Sequence, residues 1–322
     1  MTTPRTTIKD ILASGESFLI AAHTSPDGDA MGSSVALAHL LTRLGKSVTI
    51  YNASGMPDQF AWLDTPVPVV TELPGELPQW VIALDSGDLH RLGDALAARF
   101  SRRGTVCIDH HLGNPEYAEV NWVDPSFSSV GEMVANLAQD LDIPLSDGLG
   151  EGIYLALVTD TGYFSYGNTS PRTMMLAADI LREGLDPEFF NARFLNQWTL
   201  GRMQLWSRVF GAASVHLDGT IGTIRITEAM LEETGTSSED TDGLVNYVRR
   251  IKGVKAAISL REDGPTQTKI SFRSSGLVNV QAIASTLGGG GHKNAAGALI
   301  KAPIDEAERI VLDATRDYLS CK

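Results

Sequence analysis

The chain has 322 residues, of which 43% are hydrophobic and 20% charged, a globular composition long enough for two domains with separate cores. Its net charge of −13 argues against a protein that wraps long duplex DNA, which needs many Lys and Arg to neutralise phosphates. A short anionic ligand is still admissible where metal cations and a few Arg supply local positive charge. Cys107 and Cys321 are too few for a disulfide framework or a thiolate cage, so any metal must use His and carboxylates. No apolar run of 18 residues and no signal-peptide pattern occurs, so the expectation is a cytoplasmic protein that neither is exported nor spans a membrane.

In chain order, residues 18–22, 48–51, 80–84 and 105–108 are short apolar runs bounded by Gly, Pro or Asp, and are predicted to be buried strands of a parallel sheet. Between the first two, residues 29–44 place Met31, Val35, Leu37, Leu40, Leu41 and Leu44 near helical spacing. The alternation predicts an α/β fold with an open, doubly wound, mainly parallel sheet. Ser129 followed by Glu132 predicts a capping box and a helix start. The apolar run 154–158 leads into Thr159-Asp160-Thr161-Gly162 and is read as a further strand ending in an acid. Helical patterns are expected from Pro171 to about Phe210, with Pro171 in a first turn and Gly184 at a C-terminal stop.

Beyond that point the texture changes. Residues 215–217 and 221–226 flank Asp218-Gly219 as a hairpin, and 255–260 and 269–272 read as two more strands around Asp263-Gly264-Pro265. The expected domains are 1–195 and 210–322, the second a smaller α/β unit.

The polar residues at the strand ends point to chemistry. His23, Asp27 and Asp29 share one loop after the first strand, where open α/β sheets bind ligands, and Gly28 permits a tight path. Read conservatively, this is a helix start with Asp29 as cap and Asp27 as turn residue. The pattern repeats, however: 80–84 ends in Asp85, 105–108 ends in Asp109-His110-His111, and 155–158 leads to Asp160. Mixed imidazole and carboxylate ligation suits Mn²⁺, Fe²⁺, Co²⁺ or Zn²⁺, with Mn²⁺ preferred. The donors exceed what one ion needs, and two divalent ions with a bridging carboxylate would suit hydrolytic phosphoryl transfer.

The second domain carries Gly288-Gly289-Gly290-Gly291-His292, followed by Ala295-Ala296-Gly297. Consecutive glycines let backbone N–H groups approach a phosphate or nucleotide closely. A bare glycine run reads equally as a linker, but the attached His292 and the apolar strand behind it argue against that. Arg273 lies opposite the Ile270 and Phe272 face of its strand and can point at the same ligand.

Together, His23, Asp27-Gly28-Asp29, Asp85, Asp109-His110-His111, Asp160-Thr161-Gly162 and the glycine run with His292 resemble the DHH phosphoesterases that carry a DHH-associated C-terminal domain. The nanoRNase and pAp-phosphatase branch is the nearest match, with the motifs in family order over residues 18–300. The resemblance implies two lobes with substrate in the cleft between them. It implies that His23, Asp27 and Asp85 hold one metal, and Asp29, Asp85, His110 and Asp160 the other, with Asp85 bridging. His111 would face the scissile phosphate, with Asp109 orienting the histidine pair. Arg273, Gly288, Gly289, Gly290, Gly291 and His292 would grip the substrate.

Substrates implied are short single-stranded RNA, pAp, or linear or cyclic dinucleotides, with a homodimer possible. Manganese-dependent inorganic pyrophosphatases share the metal motifs but would be expected to offer a denser basic set. RecJ-like exonucleases usually carry extra modules that do not fit in 322 residues. A non-catalytic nucleotide-binding regulator would be expected to lack an Asp or His, and none is missing here.

Overall fold

The computed structural model describes residues 3–320, apart from the side chain of His292; Cys321 and that side chain lie outside the described residues. The chain divides into two compact units, Met1–Gln197 and Trp198–Lys322.

In the first unit the order is α1 (Pro4–Ser14), β1 (Ser17–Ala22), α2 (Gly28–Arg43), β2 (Ser47–Tyr51), β3 (Val69–Val70), β4 (Trp80–Leu84), α3 (Asp94–Ala97), β5 (Thr105–Asp109), β6 (Val120–Val123), α4 (Val130–Asp140), α5 (Asp147–Asp160), α6 (Pro171–Arg182) and α7 (Pro187–Phe194). The six strands form one sheet in the order β3-β2-β1-β4-β5-β6, and every neighbouring pair is parallel. The chain leaves the middle of the sheet in one direction and returns to build the other, so strand order reverses between β1 and β4.

Both faces of this sheet are covered. Phe18 and Ile20 of β1 join the core beneath α2, α4 and α5, while Leu19 and Ala21 point the other way to Tyr51, Leu92 and Leu96. That explains the continuous apolar runs that mark these strands in the sequence.

One expectation needs correction. Residues 155–158 are not a strand: they form the last turns of α5, so Asp160 ends a helix. A fully buried apolar run of four residues carries no periodicity that separates the two states. Strands β3 and β6 carried no recognised signal, the first being only two residues long. The helical patterns from Pro171 are three helices, with Pro171 opening α6, Gly184 just past its end, and α8 (Leu200–Gly211) as the third.

Close approach of α2 to α5 is set by small residues. A Cβ on Gly32 would lie 2.4 Å from the Gly152 carbonyl oxygen, and one on Gly152 would lie 2.6 Å from the Gly32 carbonyl oxygen. Gly28 meets Thr159 and Gly148 meets His39 in the same way, so the two helices run antiparallel. Gly28 is required by this contact rather than by a special turn, since Thr159 occupies the place of its Cβ.

The second unit begins with α8 and continues through β7 (Ser214–His216), β8 (Ile221–Ile226), α9 (Glu228–Thr234), α10 (Leu244–Val248), β9 (Ala256–Glu262), β10 (Thr268–Ser274), α11 (Val280–Thr286), β11 (Gly290–His292), β12 (Ala295–Ile300) and α12 (Ile304–Ser320). Its sheet runs β11-β12-β10-β9-β8-β7, with only β8 and β9 parallel. One core lies between this sheet and α11 and α12, and a smaller one joins α8, β8 and α10. Among the described residues no helix is long and apolar enough to cross a membrane.

Gly32→Ala should lower unfolding free energy by about 1–3 kcal/mol through overpacking. Gly211→Ala, at a position with nothing within 4 Å of the added Cβ, should cause no loss, in line with alanine's advantage of up to about 1 kcal/mol in a helix. Denaturant titration of both variants reads the difference, and equal effects would contradict the packing argument.

Candidate metal centre

Each polar residue of the first unit is placed by the end of an element. His23 follows β1 and Asp85 follows β4, so the two stand side by side at the reversal of strand order. Asp109 is the last residue of β5, with His110 and His111 immediately after it. Asp27 caps α2: its Oδ1 accepts the Asp29 and Ala30 N–H groups, each at 3.1 Å. The cap is therefore Asp27, and Asp29 sits in the first helical turn, where its side chain is free to face the site.

Asp29 reaches across to a second helix. Its Oδ2 accepts the Val130 N–H at 2.7 Å and its Oδ1 the Gly131 N–H at 2.9 Å, at the start of α4, where the helix dipole also favours a carboxylate. The capping box expected at this helix is half present. Ser129 Oγ accepts the Glu132 N–H, but the Glu132 carboxylate instead takes the N–H and hydroxyl of Ser128 and pairs with Arg172.

The result is a set of donors at cation-binding spacing. His110 Nε2 lies 3.6 Å from Asp29 Oδ2, from Asp85 Oδ1 and from Asp160 Oδ2. That is long for a hydrogen bond, and it matches donors that sit about 3 to 4 Å apart around a shared ion roughly 2.1 Å from each. His23 Nε2 stands 3.8 Å from Asp27 Oδ1 and 3.7 Å from Asp85 Oδ2. In each of three groups the donor atoms lie within 4.8 Å of one another: His23, Asp27 and Asp85; Asp29, His110 and Asp160; and Asp85, His110 and His111. Asp85 enters two of them.

Two further observations test whether a cation fits. Asp85 Oδ1 is buried without a hydrogen-bond partner, a costly state that a cation would relieve. Asp85 also holds a left-handed backbone, φ 52°, which is strain at a site that geometry must hold in place. The histidines are oriented to match. His23 Nδ1 lies 2.8 Å from the Thr24 carbonyl and His110 Nδ1 3.2 Å from that of Phe127. With the proton assigned to Nδ1 in each, Nε2 presents a lone pair to the carboxylates. The residues present fit a divalent cation.

Burial, and then the nearby Asp160 and Asp27 charges, push the Asp29 carboxyl well above its usual range, outweighing the Val130 and Gly131 N–H groups. Burial and the charges of Asp29 and Asp27 do the same to Asp85, against an opposing effect of His110. Asp160 is raised chiefly by burial. At Asp27 burial acts upward, and the His23 imidazole together with the Ala30 and Asp29 N–H groups outweighs it, holding the carboxyl below the usual range.

Behind the cluster, Asp109 is fully buried. Its Oδ1 accepts His111 Nδ1 at 2.7 Å and its Oδ2 accepts Asn114 Nδ2 at 2.7 Å. Burial raises its carboxyl and these two bonds outweigh that, leaving it below the usual range. Asn114 had no sequence signal, since an Asn five residues beyond a strand reads as a turn residue. The N–H groups of Val130 and Gly131 were equally invisible, because backbone donors leave no residue signature.

In the second unit, register places two expected substrate residues on either side of Ala295. Arg273 stands opposite Ala295 of β12, and Ala295 opposite His292 of β11. Gly290 and Gly291 belong to β11, so half of the glycine run is strand rather than open loop. Gly291 has φ 137°, and a Cβ on Gly289 would lie 2.1 Å from the Gly297 carbonyl oxygen, so neither position admits a side chain without displacement.

Residues 17–157 match the model of the DHH family N-terminal domain, and residues 223–320 match that of the DHHA1 domain. The bifunctional oligoribonuclease and PAP phosphatase NrnA of Thermus thermophilus is 33% identical over 308 residues, covering 94% of this chain and 90% of that protein. The protein of the same name from Bacillus subtilis is 30% identical, covering 92% and 93%. An exopolyphosphatase-related protein from Bacteroides fragilis superposes with a TM-score of 0.90 at 26% identity, covering 98% of this chain and 96% of that one. With matches of this extent across both units, the chain belongs to the DHH family.

Proposed function

We propose that this chain is a divalent-metal-dependent phosphoesterase that hydrolyses short oligoribonucleotides and pAp to nucleoside monophosphates, and accepts dinucleotides. The observation that carries the reading is the convergence of Asp29, Asp85 and Asp160 on one imidazole nitrogen at 3.6 Å, with a buried Asp85 oxygen left without a hydrogen bond. The names of the Thermus and Bacillus relatives support the substrate class.

His23, Asp27 and Asp85 hold one cation; Asp29, Asp85, His110 and Asp160 hold a second, with Asp85 shared. Mn²⁺ suits this oxygen and imidazole set. When bound, such a pair supplies a Lewis acid for phosphoryl oxygens and a nucleophile active at neutral pH. Asp29 is held in place by the start of α4. Asp109, fixed by Asn114, sets the tautomer of His111 so that its Nε2 can exchange a proton with an oxygen of the scissile phosphate. Arg273, the backbone of Gly288, Gly289, Gly290 and Gly291, and His292 bind the substrate's nucleotide. The substrate is a short single strand rather than long duplex DNA, since a chain of charge −13 offers no extended basic track. The protein works in the cytoplasm.

Side-by-side kcat/KM values for pAp, pApA, a five-residue RNA and pyrophosphate in Mn²⁺ test the assignment. Nucleotide substrates should lead, and efficiency should fall as RNA lengthens beyond about five residues, because further phosphates gain little from an acidic protein. Preference for pyrophosphate, or a flat length profile, would overturn the reading.

Asp85→Asn should lower kcat/KM by more than the roughly 10- to 100-fold typical of losing a residue that only orients a ligand. Metal analysis should show fewer ions bound per chain. Full Mn²⁺ content with wild-type turnover would exclude a shared ligand.

Chelation should destabilise the protein more at pH 8 than at pH 5.5. Asp29, Asp85 and Asp160 have folded-state values raised above their unfolded ones, so the metal-free fold binds protons more tightly than the unfolded chain. Its stability therefore declines as pH rises from about 4. Cations oppose that decline by replacing the protons. Thermal melts with and without EDTA at the two pH values read the difference; an equal Tm drop at both would contradict it.

A further inference from the structure

The second unit contains a cavity of which only Arg273 has so far been given a role. It lies between α10 and one face of the sheet and is lined by Arg261, Lys269, Arg273, Ser259, Ser271 and Asp242, among others. Its volume is about 80 Å³, several times the roughly 10–15 Å³ that one water needs. That is far short of the roughly 300–1,000 Å³ of a pocket that encloses a whole small molecule. The size suits a phosphoryl group and excludes a nucleoside.

The strand register explains the lining. Lys269 of β10 stands directly opposite Arg261 of β9, and Ser271 directly opposite Ser259. Ser271 is in turn opposite Gly297, and Gly297 opposite Gly290. A floor of hydroxyls and glycines thus runs toward the glycine strand, with two cations along one side and Arg273 along the other. Like charges facing each other across a strand pair are destabilising. This pair occurs in a chain whose acids outnumber its bases by thirteen, so its placement calls for a compensating anion.

Partial compensation comes from Asp242: burial pushes its carboxyl above the usual range, against the opposing charges of Lys269, Arg261, Arg202 and Arg273. Arg261 is held by the Ser238 carbonyl at 3.3 Å and by Thr241 Oγ1 at 3.5 Å, with Asp263 4.0 Å away. Asp242 in the lining and Asp263 beside Arg261 stand against the three lining cations Arg261, Lys269 and Arg273, which leaves the cavity net positive and lined with donors, as suits a phosphate.

We infer that this cavity is a phosphoryl-binding site that takes a phosphate of a nucleotide ligand. The second half of that statement rests on the nucleotide phosphoesterase reading; anion binding by the cavity does not. Lys269 and Arg261 then act as affinity and specificity residues, favouring substrates with at least two phosphates. Asp242 acts against them as a competing charge.

The test compares wild type, the double variant Lys269→Gln with Arg261→Gln, and Asp242→Asn, all as full chains loaded with Mn²⁺. For pAp the double variant should raise KM by about 10- to 100-fold, the equivalent of one or two charge-assisted hydrogen bonds, while kcat stays within about twofold. With bis(p-nitrophenyl) phosphate, whose single phosphate leaves the cavity unfilled, KM should move by no more than about twofold. Asp242→Asn should shift pAp the other way, lowering KM several-fold, an effect that general loss of structure cannot produce.

Calorimetric titration with inorganic phosphate reads the cavity without any substrate. Wild type should show two binding phases, and the double variant should lack one. If wild type hydrolyses no nucleotide, the phosphoesterase reading fails and the phosphate titration alone decides the cavity. A pAp KM within twofold of wild type in the double variant, a raised KM in Asp242→Asn, or a single phosphate phase in wild type would each overturn the inference.

Discussion

Three carboxylates, from Asp29, Asp85 and Asp160, lie 3.6 Å from a single imidazole nitrogen, and two of them are almost completely buried. Like charges so close in a poorly solvated site cannot all remain ionised without cations between them; otherwise protons must take their place. Much of the first unit is organised around tolerating this repulsion. The start of α4 directs two N–H groups at Asp29, the Thr24 and Phe127 carbonyls orient His23 and His110, and Asp85 accepts a left-handed backbone. Each device lowers the electrostatic cost or fixes the direction of a donor. None contributes to an apolar core.

The cluster also depends on backbone proximity. Asp29 sits in the first turn of α2 and Asp160 ends α5, and the two helices meet through Gly28, Gly32 and Gly152 at distances that exclude a Cβ. Larger residues there would push the helices apart and widen the gap between the two carboxylates. Glycine in a helix is ordinarily unfavourable by roughly 1 kcal/mol relative to alanine, and here that cost secures the spacing of charged groups. Helix packing in this unit is thereby coupled to the polar site.

The second unit has the opposite electrostatic character. Its sheet offers Arg261, Lys269 and Arg273 on one face, above a floor of serine and glycine. A negative cluster suited to cations and a positive face suited to anions thus occur in one acidic chain. A phosphate ester needs both kinds of environment, cations at the reacting phosphorus and fixed donors elsewhere.

The sequence by itself determined the apolar strands, the reversal-prone α/β alternation and the residue types at the strand ends, because these follow from local periodicity. His23 and Asp85 could be placed at the carboxyl ends of β1 and β4, and Asp109 to His111 at that of β5, from the point where each apolar run stops. Tertiary structure alone decided that 155–158 is helix, since four buried apolar residues have no period to read. It also decided that Asp27 is the cap while Asp29 turns inward, because either acid satisfies the same local rule. Asn114, the Val130 and Gly131 N–H groups, and the Arg261 and Lys269 pair gained their meaning from partners distant in sequence or across a strand. Local patterns record which residues a strand or helix can hold, and only packing and register fix the distances between charges that give those residues a chemical use.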